Sequence, residues 1–409
     1  MGAGFPRLTH RTGKNPAMHA PIHSRRHGTA LFTAGFRPFY LAAAAWAALA
    51  VPLWLAAYAA GLVLPSGSAP LIWHAHEMIF GYGSVVLAGV LLLSLQGRLL
   101  AVMIVLWLAG RVAMLFSGVI GVRIAALADL AFPAIFLAVV AEEIAATRNW
   151  RNLPILGALL ALFCGDALTQ LGVTGFTDTA LLGNRIGIAT LLFMITLVGG
   201  RIVPDFTRQW LAKQRPAARR PDPPNAFDNG ALLVTLTALV AWAAAPDTPL
   251  TAWMLLAGGT AVLTRLARWQ GWATLREPLV TILHIGYGWL GAGLLLVGAN
   301  DIFAFLPPPA ALHALTIGAI GTMTLAVMTR ATLEHTGGRL SAGPATVTIY
   351  GAVSAAAALR IAAPAAGDHT ILLLWFAGGF WEGAFVLFLV CYGGLLIRPR
   401  IMPSRVSGR

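Results

Sequence analysis

The sequence predicts an all-α polytopic membrane protein, a bundle of about twelve transmembrane helices with both termini in the cytoplasm. Of the 409 residues, 58% are hydrophobic and only 11% are charged, and the mean hydropathy is +0.77. Soluble domains carry about 25% charged residues. Apolar runs of roughly 18 or more residues, long enough to cross the hydrocarbon core of a bilayer, recur along the chain. These observations exclude a soluble globular protein.

Each apolar run predicts one helix, and the short turns between runs contain the proline and glycine that interrupt helices. The first six helices are predicted at 38–64, 71–95, 99–118, 122–146, 152–172 and 178–203. The second six are predicted at 229–245, 249–267, 278–299, 308–330, 344–362 and 370–397. The resulting organisation is a disordered basic tail (1–34), a six-helix half (35–203), a cytosolic linker (204–228), a second six-helix half (229–398) and a cytosolic tail (399–409).

The placement of basic residues predicts the orientation of the bundle and explains the net charge of +13. With the N-terminus inside, 24 of the 28 lysine and arginine residues fall in segments that face the cytoplasm. Outward loops contain only Arg123 and Arg360. This asymmetry follows the positive-inside rule. The lipid bilayer is therefore the predicted partner of the chain, and nucleic acid is not.

Three histidines lie in one layer near the outer edge of the membrane. His74 and His76 open the second predicted helix in the segment WHAHEMIFGYG, and His313 opens the tenth. A rise of about 1.5 Å per residue puts these rings within about 6 Å of the outer edge. Histidines from two helices at one depth are an arrangement that a metal or haem needs. The alternative is a pair of interfacial histidines that reach water.

His74 and His76 cannot both bind one centre if the helix is regular, because residues two apart point away from each other. His74 shares its face with Met78, and a histidine–methionine pair suits copper(I). His76 shares its face with Phe80 and Gly83, where a flat macrocycle could lie. The two rings are therefore predicted to serve different purposes.

A second, inner metal site is one interpretation of His284 and His335. His284 lies about 9 Å inside the cytoplasmic edge by the same helical rise, near the predicted loop that carries His335. The alternative is that His284 forms a hydrogen bond to a neighbouring helix.

Four charged residues on four predicted helices come out about 10 Å below the outer edge. They are Arg111, Asp129, Asp166 and Arg185. Buried charges must be balanced, so these residues, with Glu77 nearby, are predicted to form a buried set of ion pairs. The alternative is that the arginines bind carboxylates such as haem propionates, which match the guanidinium fork.

Five segments of the chain resemble the NnrS family in content, order and spacing. They are GFRPFYLAAA, WHAHEMIFGYG, GGRIVPDFTRQW, LHIGYGWLGAG and LHALTIGAIGTMTLAVMTRATLEHTG, and the resemblance extends over residues 35–398. The characteristic polar positions of the family fall here on Arg37, His74, His76, Glu77, Arg111, Arg201, His284, His313, Arg330 and His335. The chain departs from the family at LLLSLQGR, where many relatives have a longer polar loop.

The resemblance implies a bacterial inner-membrane protein that contains haem and copper and is associated with nitric oxide, nitrosative stress and denitrification. On this basis we expect b-type haem, but the resemblance does not settle which residues bind it. Because His76 and His313 have similar depth on helices that run parallel, they are the predicted ligands of the iron, and Arg111 and Arg185 are the candidates to bind the haem carboxylates. His74 is the candidate for copper. A position near the outer edge would suit a diffusible ligand such as nitric oxide.

Two other classes of membrane protein have a similar number of helices. Haem-copper oxidases and nitric oxide reductases need more intramembrane histidines than the four found at predicted spans here, so the count excludes them. A secondary transporter fits the division into two six-helix halves, and the buried charges would then form a proton or anion pathway. The sequence shows no nucleophile–base spacing and no phosphate-binding loop, which favours a metal-binding stress protein over an enzyme.

Overall fold

A computed structural model describes residues 30–214 and 219–399 of the chain. Within these ranges the protein is helical and has no β-strand, in agreement with the predicted fold class. The helices are α1 (Phe36–Ala59), α2 (Pro70–His76, Glu77–Gly83 and Ser84–Leu91), α3 (Arg98–Leu115), α4 (Val122–Thr147), α5 (Leu153–Val173), α6 (Ala180–Gln214), α7 (Ala226–Ala244), α8 (Pro249–Ala267), α9 (Pro278–Phe303), α10 (Pro308–Thr336), α11 (Pro344–Ala362) and α12 (Thr370–Ile397). Most of the predicted tail, 1–29, lies outside the described residues.

Ten segments of the described chain are long and apolar enough to cross a membrane, which makes this a multi-pass membrane protein. That count takes 344–397 as a single segment, because the 3-10 turn Ala363–His369 joins α11 to α12 without a break. It omits α2, in which two histidines and a glutamate lower the hydropathy. The predicted number of twelve spans and the predicted orientation stay predictions.

Successive helices from α3 to α12 pack against one another, and α12 returns to pack against α1. Helices α2, α6 and α10 contact each other inside this arrangement. In α6 and α10, 72% of the most apolar 18-residue window is buried, compared with 39–61% in the other candidate spans. The interior of the bundle is therefore built around these central helices.

Each central helix contains a π-helical segment, which the sequence analysis did not predict. The segments are Glu77–Gly83 in α2, Ile195–Gly199 in α6 and Ala314–Gly321 in α10. A π-turn widens the helix and changes the direction of the side chains that follow, and such turns are frequent at functional sites. In α2 this change begins directly after His76, so the faces expected for a regular helix do not extend past that residue.

The sixth helix is longer than predicted. It continues through Pro204 to Gln214, so the first part of the predicted linker is helical. The extension buries Phe206 and Leu211 on one side, and this packing compensates for the proline inside the helix. After the linker, α7 begins with a capping box in which Asn225 accepts from the Phe227 amide and Asp228 accepts from the Asn225 amide.

Candidate functional site

A cluster of polar side chains is buried between α2, α3, α4 and α5. It consists of His76, Glu77, Arg111, Asp129, Asp166 and Gln170, and we call it the His76 cluster. Each of these residues is at most 4% exposed. The cluster contains three of the four charges that the depth estimate placed at one level, together with Glu77.

Arg111 connects two of the carboxylates in the His76 cluster. Its Nη1 donates to Glu77 Oε2 at 2.7 Å, and its Nη2 donates to Asp129 Oδ1. Because Glu77 is on α2 and Asp129 is on α4, the guanidinium of α3 joins three helices through charge-assisted hydrogen bonds. Removal of this side chain would leave both carboxylates without their cation.

His76 has polar partners on both sides of its ring. Its Nδ1 lies 3.0 Å from Glu77 Oε1. Its Nε2 lies 2.9 Å from Asp129 Oδ2, 3.1 Å from Asp166 Oδ1 and 3.0 Å from Gln170 Nε2. His76, Asp129 and Asp166 each offer one ligand atom within 4.8 Å of the others, a spacing compatible with one metal ion.

Two glycines make room for the His76 cluster. A Cβ at Gly110 on α3 would lie 3.1 Å from Asp129 Cα, so α3 and α4 can approach closely only because this residue is glycine. A Cβ at Gly81 would lie 2.7 Å from Arg111 Nη1. The carbonyl of Gly81 accepts a hydrogen bond from Trp107 Nε1 at 2.9 Å, which links the π-helical segment to α3.

Two of the predicted site residues lie apart from the His76 cluster. Arg185 does not join the ion pairs, because its Nε donates to the carbonyl oxygen of Ala243 on α7 at 3.0 Å. Equal depth on neighbouring helices did not imply contact, since the Arg185 side chain is directed to the other side of α6. Met78 is partly buried and packs against the apolar core.

His74 and His313 lie near Arg360 at the end of the bundle where α2 and α10 begin. We call these three residues the outer histidine site. The start of α10 packs against α11, the helix that carries Arg360. The His74 ring stacks on Trp54 with a centroid separation of 4.2 Å, and its Nδ1 is buried without a hydrogen-bond partner among the described residues. The Nδ1 of His313 contacts the Pro309 carbonyl oxygen.

The pairing of His76 with His313 stays a prediction, and no described contact joins the two rings. The His76 ring lies against the acids of its cluster, whereas the His313 ring contacts the Pro309 carbonyl oxygen. The reason is the angular separation of residues two apart on α2, which directs His74 toward α1 and His76 toward the buried carboxylates.

His284 and His335 have different surroundings. His284 Nε2 lies 2.8 Å from Thr207 Oγ1, and its Nδ1 is buried without a hydrogen-bond partner in the described part of the chain. In the sequence analysis, such a hydrogen bond to a neighbouring helix was the alternative to a metal site at His284. The His335 ring lies 5.4 Å from the Phe36 ring.

An apolar cavity of about 80 Å³ lies between the three central helices. Its walls include Gly83, Leu191, Met194 and Met323, and Thr324 is the only polar side chain among its lining residues. The cavity therefore has space for a small apolar molecule, but few groups that could form hydrogen bonds to a polar molecule.

Gln170 is the member of the His76 cluster that sequence analysis missed. It lies one helical turn after Asp166 on α5, and residues four apart share a helix face. Its amide nitrogen lies 2.6 Å from Asp129 Oδ2. The spacing from Asp166 was the available signal. Gln170 was missed because it is uncharged and the predicted set contained only charged residues.

The fold and these side chains define a class, a multi-pass α-helical membrane protein with a histidine–carboxylate cluster and a separate pair of histidines. Comparison with protein-family models matches residues 30–400 to the model described as NnrS protein. Because this match covers most of the chain, the protein belongs to the NnrS family, which confirms the resemblance of the five sequence segments. A search of curated proteins gives no match.

Proposed function

We propose that this protein binds haem and copper in the bacterial inner membrane and acts in nitric oxide metabolism or protection against nitrosative stress. Membership of the NnrS family supports this function, as do two histidines, His74 and His284, that each have a buried ring nitrogen without a hydrogen-bond partner among the described residues. The proposed activity is binding, and no reaction is assigned.

The outer histidine site is the observation that carries the proposal. A metal binds the lone pair of a neutral imidazole nitrogen, and His74 has a buried Nδ1 without a described partner. The Pro309 carbonyl holds Nδ1 of His313, as acceptors do for the ligand histidines of metal sites, which leaves Nε2 for the metal. His74 and His313 would hold haem iron, and Arg360 would pair with a haem carboxylate. Bound haem would supply an iron that binds nitric oxide.

His76 is less suited to haem iron than the sequence suggested. Its Nδ1 faces Glu77, and three polar groups surround its Nε2 within 3.1 Å. A macrocycle would have to displace these groups to reach the ring. The assignment of haem iron therefore moves from His76 to His74, with His313 kept from the original pair.

His284 is the candidate for copper, because its Nδ1 is buried without a partner in the described residues. Imidazole nitrogen suits copper. His335 and Met78 are further candidates from the sequence. His284 lies beside Thr207 and Trp269, whereas His74 stacks on Trp54, so the haem and copper assignments are separable by mutation.

The apolar cavity favours the binding of a small, weakly polar ligand. An engineered apolar cavity of about 150 Å³ in another protein stays free of water and binds xenon. The cavity of about 80 Å³ between the central helices has a similar lining. A diatomic molecule such as nitric oxide fits a space of this size and polarity.

Single alanine substitutions test the haem assignment. We expect His74→Ala and His313→Ala to lose most of the Soret absorbance per protein, because each removes an iron ligand. His284→Ala should retain haem and lose copper. His369→Ala is the matched control, because His369 is exposed, and it should retain both. Full haem content in both His74→Ala and His313→Ala would contradict the assignment.

A secondary transporter is the second candidate function, and the His76 cluster favours it. Buried ionisable residues in membrane proteins mark ion and proton pathways, and this cluster places three carboxylates around one histidine and one arginine. A transporter of this kind would be colourless, and substitution of Asp166 by asparagine would stop uptake. A Soret band in the purified protein distinguishes the two functions.

A further inference from the structure

We propose that the His76 cluster binds a divalent cation of the Mn²⁺, Fe²⁺ or Zn²⁺ class through His76, Asp129 and Asp166. A rotated Gln170 amide supplies a fourth ligand. This site is separate from the outer histidine site, and its occupancy does not depend on haem.

The surroundings of His76 Nε2 are the first reason. Asp129 Oδ2, Asp166 Oδ1 and Gln170 Nε2 lie 2.9, 3.1 and 3.0 Å from this one nitrogen. A ring nitrogen carries one hydrogen or one lone pair, so it cannot form three good hydrogen bonds. Ligand atoms about 2.1 Å from a metal and at right angles lie about 3.0 Å from each other. The distances of these three atoms from Nε2 match those between ligands of one metal ion.

Glu77 gives the second reason, because it orients the imidazole. Its Oε1 accepts from His76 Nδ1 at 3.0 Å, while its Oε2 accepts from Arg111 at 2.7 Å. A hydrogen on Nδ1 leaves the lone pair on Nε2, directed at the two aspartates. Ligand histidines in metal sites commonly donate their second N–H to a carboxylate in this way. When the ring is neutral, this lone pair faces the oxygens of two carboxylates, and a cation bound between them would remove the repulsion.

Charge balance is the third reason. The cluster has three carboxylates and one guanidinium, so its net charge is −2 when the imidazole is neutral. Within residues 30–214 and 219–399, Arg111 is the only lysine or arginine that forms an ion pair with these carboxylates. Buried charge requires compensation. One divalent cation supplies it.

Gln170 is the fourth reason. Its amide nitrogen contacts His76 and Asp129, while its amide oxygen has no hydrogen-bond partner among the described residues. Gln170 is 2% exposed. Rotation of the amide exchanges oxygen and nitrogen, and the oxygen then faces Asp129 Oδ2, 2.6 Å from the present nitrogen position. Two oxygens at this distance repel each other unless a cation binds both. Rotation of the amide therefore accompanies cation binding.

The ligand set selects the class of cation. One imidazole nitrogen with carboxylate and amide oxygens suits divalent ions of intermediate hardness, whereas copper(I) prefers thiolate and thioether sulfur. Mn²⁺ is the most selective probe of this site, because it favours oxygen ligands and binds weakly to isolated histidines.

Titration of the chelator-treated full-length protein in detergent with Mn²⁺ tests the proposal. We expect one tightly bound Mn²⁺ per chain, measured as loss of the free-ion paramagnetic resonance signal, and a higher unfolding temperature. Loss of a residue that only forms a hydrogen bond to a metal ligand costs about 10–100-fold in metal affinity. Asp166→Asn changes a proposed ligand itself, so it should weaken binding at least as much. Asp178→Asn, which changes an exposed aspartate, should bind as the wild type does. Absence of Mn²⁺ binding by the wild-type protein, or unchanged binding by Asp166→Asn, would overturn the proposal.

Gln170→Glu tests the fourth ligand. With a cation in the site, the added carboxylate should raise the Mn²⁺ affinity, and the protein should be most stable when Mn²⁺ is present. Without a cation site, the same substitution adds negative charge to a buried cluster and only lowers stability. An affinity equal to or below that of the wild type would show that Gln170 is not a ligand. Haem content should stay unchanged in these variants, which separates this proposal from the haem assignment.

Discussion

Arg111→Ala should lower the free energy of unfolding by about 3–5 kcal/mol, the usual cost of removing one partner from a buried ion pair. The guanidinium is 4% exposed and binds Glu77 and Asp129, so its removal leaves two carboxylates in the bundle without their cation. The measurement is denaturation by sodium dodecyl sulfate in mixed micelles. Arg98→Ala, at the exposed start of the same helix, is the control and should change stability little.

The double variant Arg111→Ala with Asp129→Ala should be more stable than the sum of the single effects allows, because it removes a charge together with one of its partners. Coupled residues in contact show such non-additivity, whereas independent sites do not. A double variant that loses as much stability as the two single variants combined would mean that Arg111 and Asp129 do not pair.

Gly183→Ala should also destabilise the protein, by about 1–3 kcal/mol as expected for overpacking. A Cβ at this position of α6 would lie 2.6 Å from the backbone nitrogen of Thr169 on α5 and closer still to the carbonyl oxygen of Gly165. Because these neighbours are backbone atoms, the two helices must separate to accommodate the methyl group. Helix α5 carries Asp166 and Gln170, so the separation should also weaken Mn²⁺ binding at the His76 cluster.

Gly157→Ala is the matched control for the helix contact. Gly157 lies on the same helix α5, and a Cβ there would have no atom within 4 Å. We expect stability equal to or slightly above that of the wild type, because alanine favours the helix over glycine. Equal stability of Gly183→Ala and Gly157→Ala would show that the contact of α5 with α6 does not limit the packing of this half.

The fold class could be predicted from the sequence because transmembrane helices must satisfy their backbone hydrogen bonds internally, which leaves a clear record in length and hydropathy. The helical rise per residue predicted the same membrane depth for Arg111, Asp129 and Asp166, and in the structure these three residues belong to one cluster. The depth of a residue follows from its distance to the end of its helix. Helix ends can be predicted here because short turns that contain proline separate the helices.

The rotation of each side chain about its helix could not be predicted in the same way. Arg185 lies at the expected depth, but its guanidinium meets the Ala243 carbonyl. The π-helical segment that follows His76 changes the direction of later residues, and no propensity rule identifies such a segment in a single sequence. For the same reason the position of the His76 ring among three carboxylates was not predicted.

Haem binding is tested most directly by the absorption spectrum of the purified wild-type protein, produced in cells supplied with haem precursor. We expect a Soret band with an absorbance that corresponds to one haem per chain, shifted when nitric oxide is added, and lost in His74→Ala and His313→Ala. A folded, monodisperse protein without a Soret band would contradict haem binding and leave the transporter as the function that the His76 cluster supports.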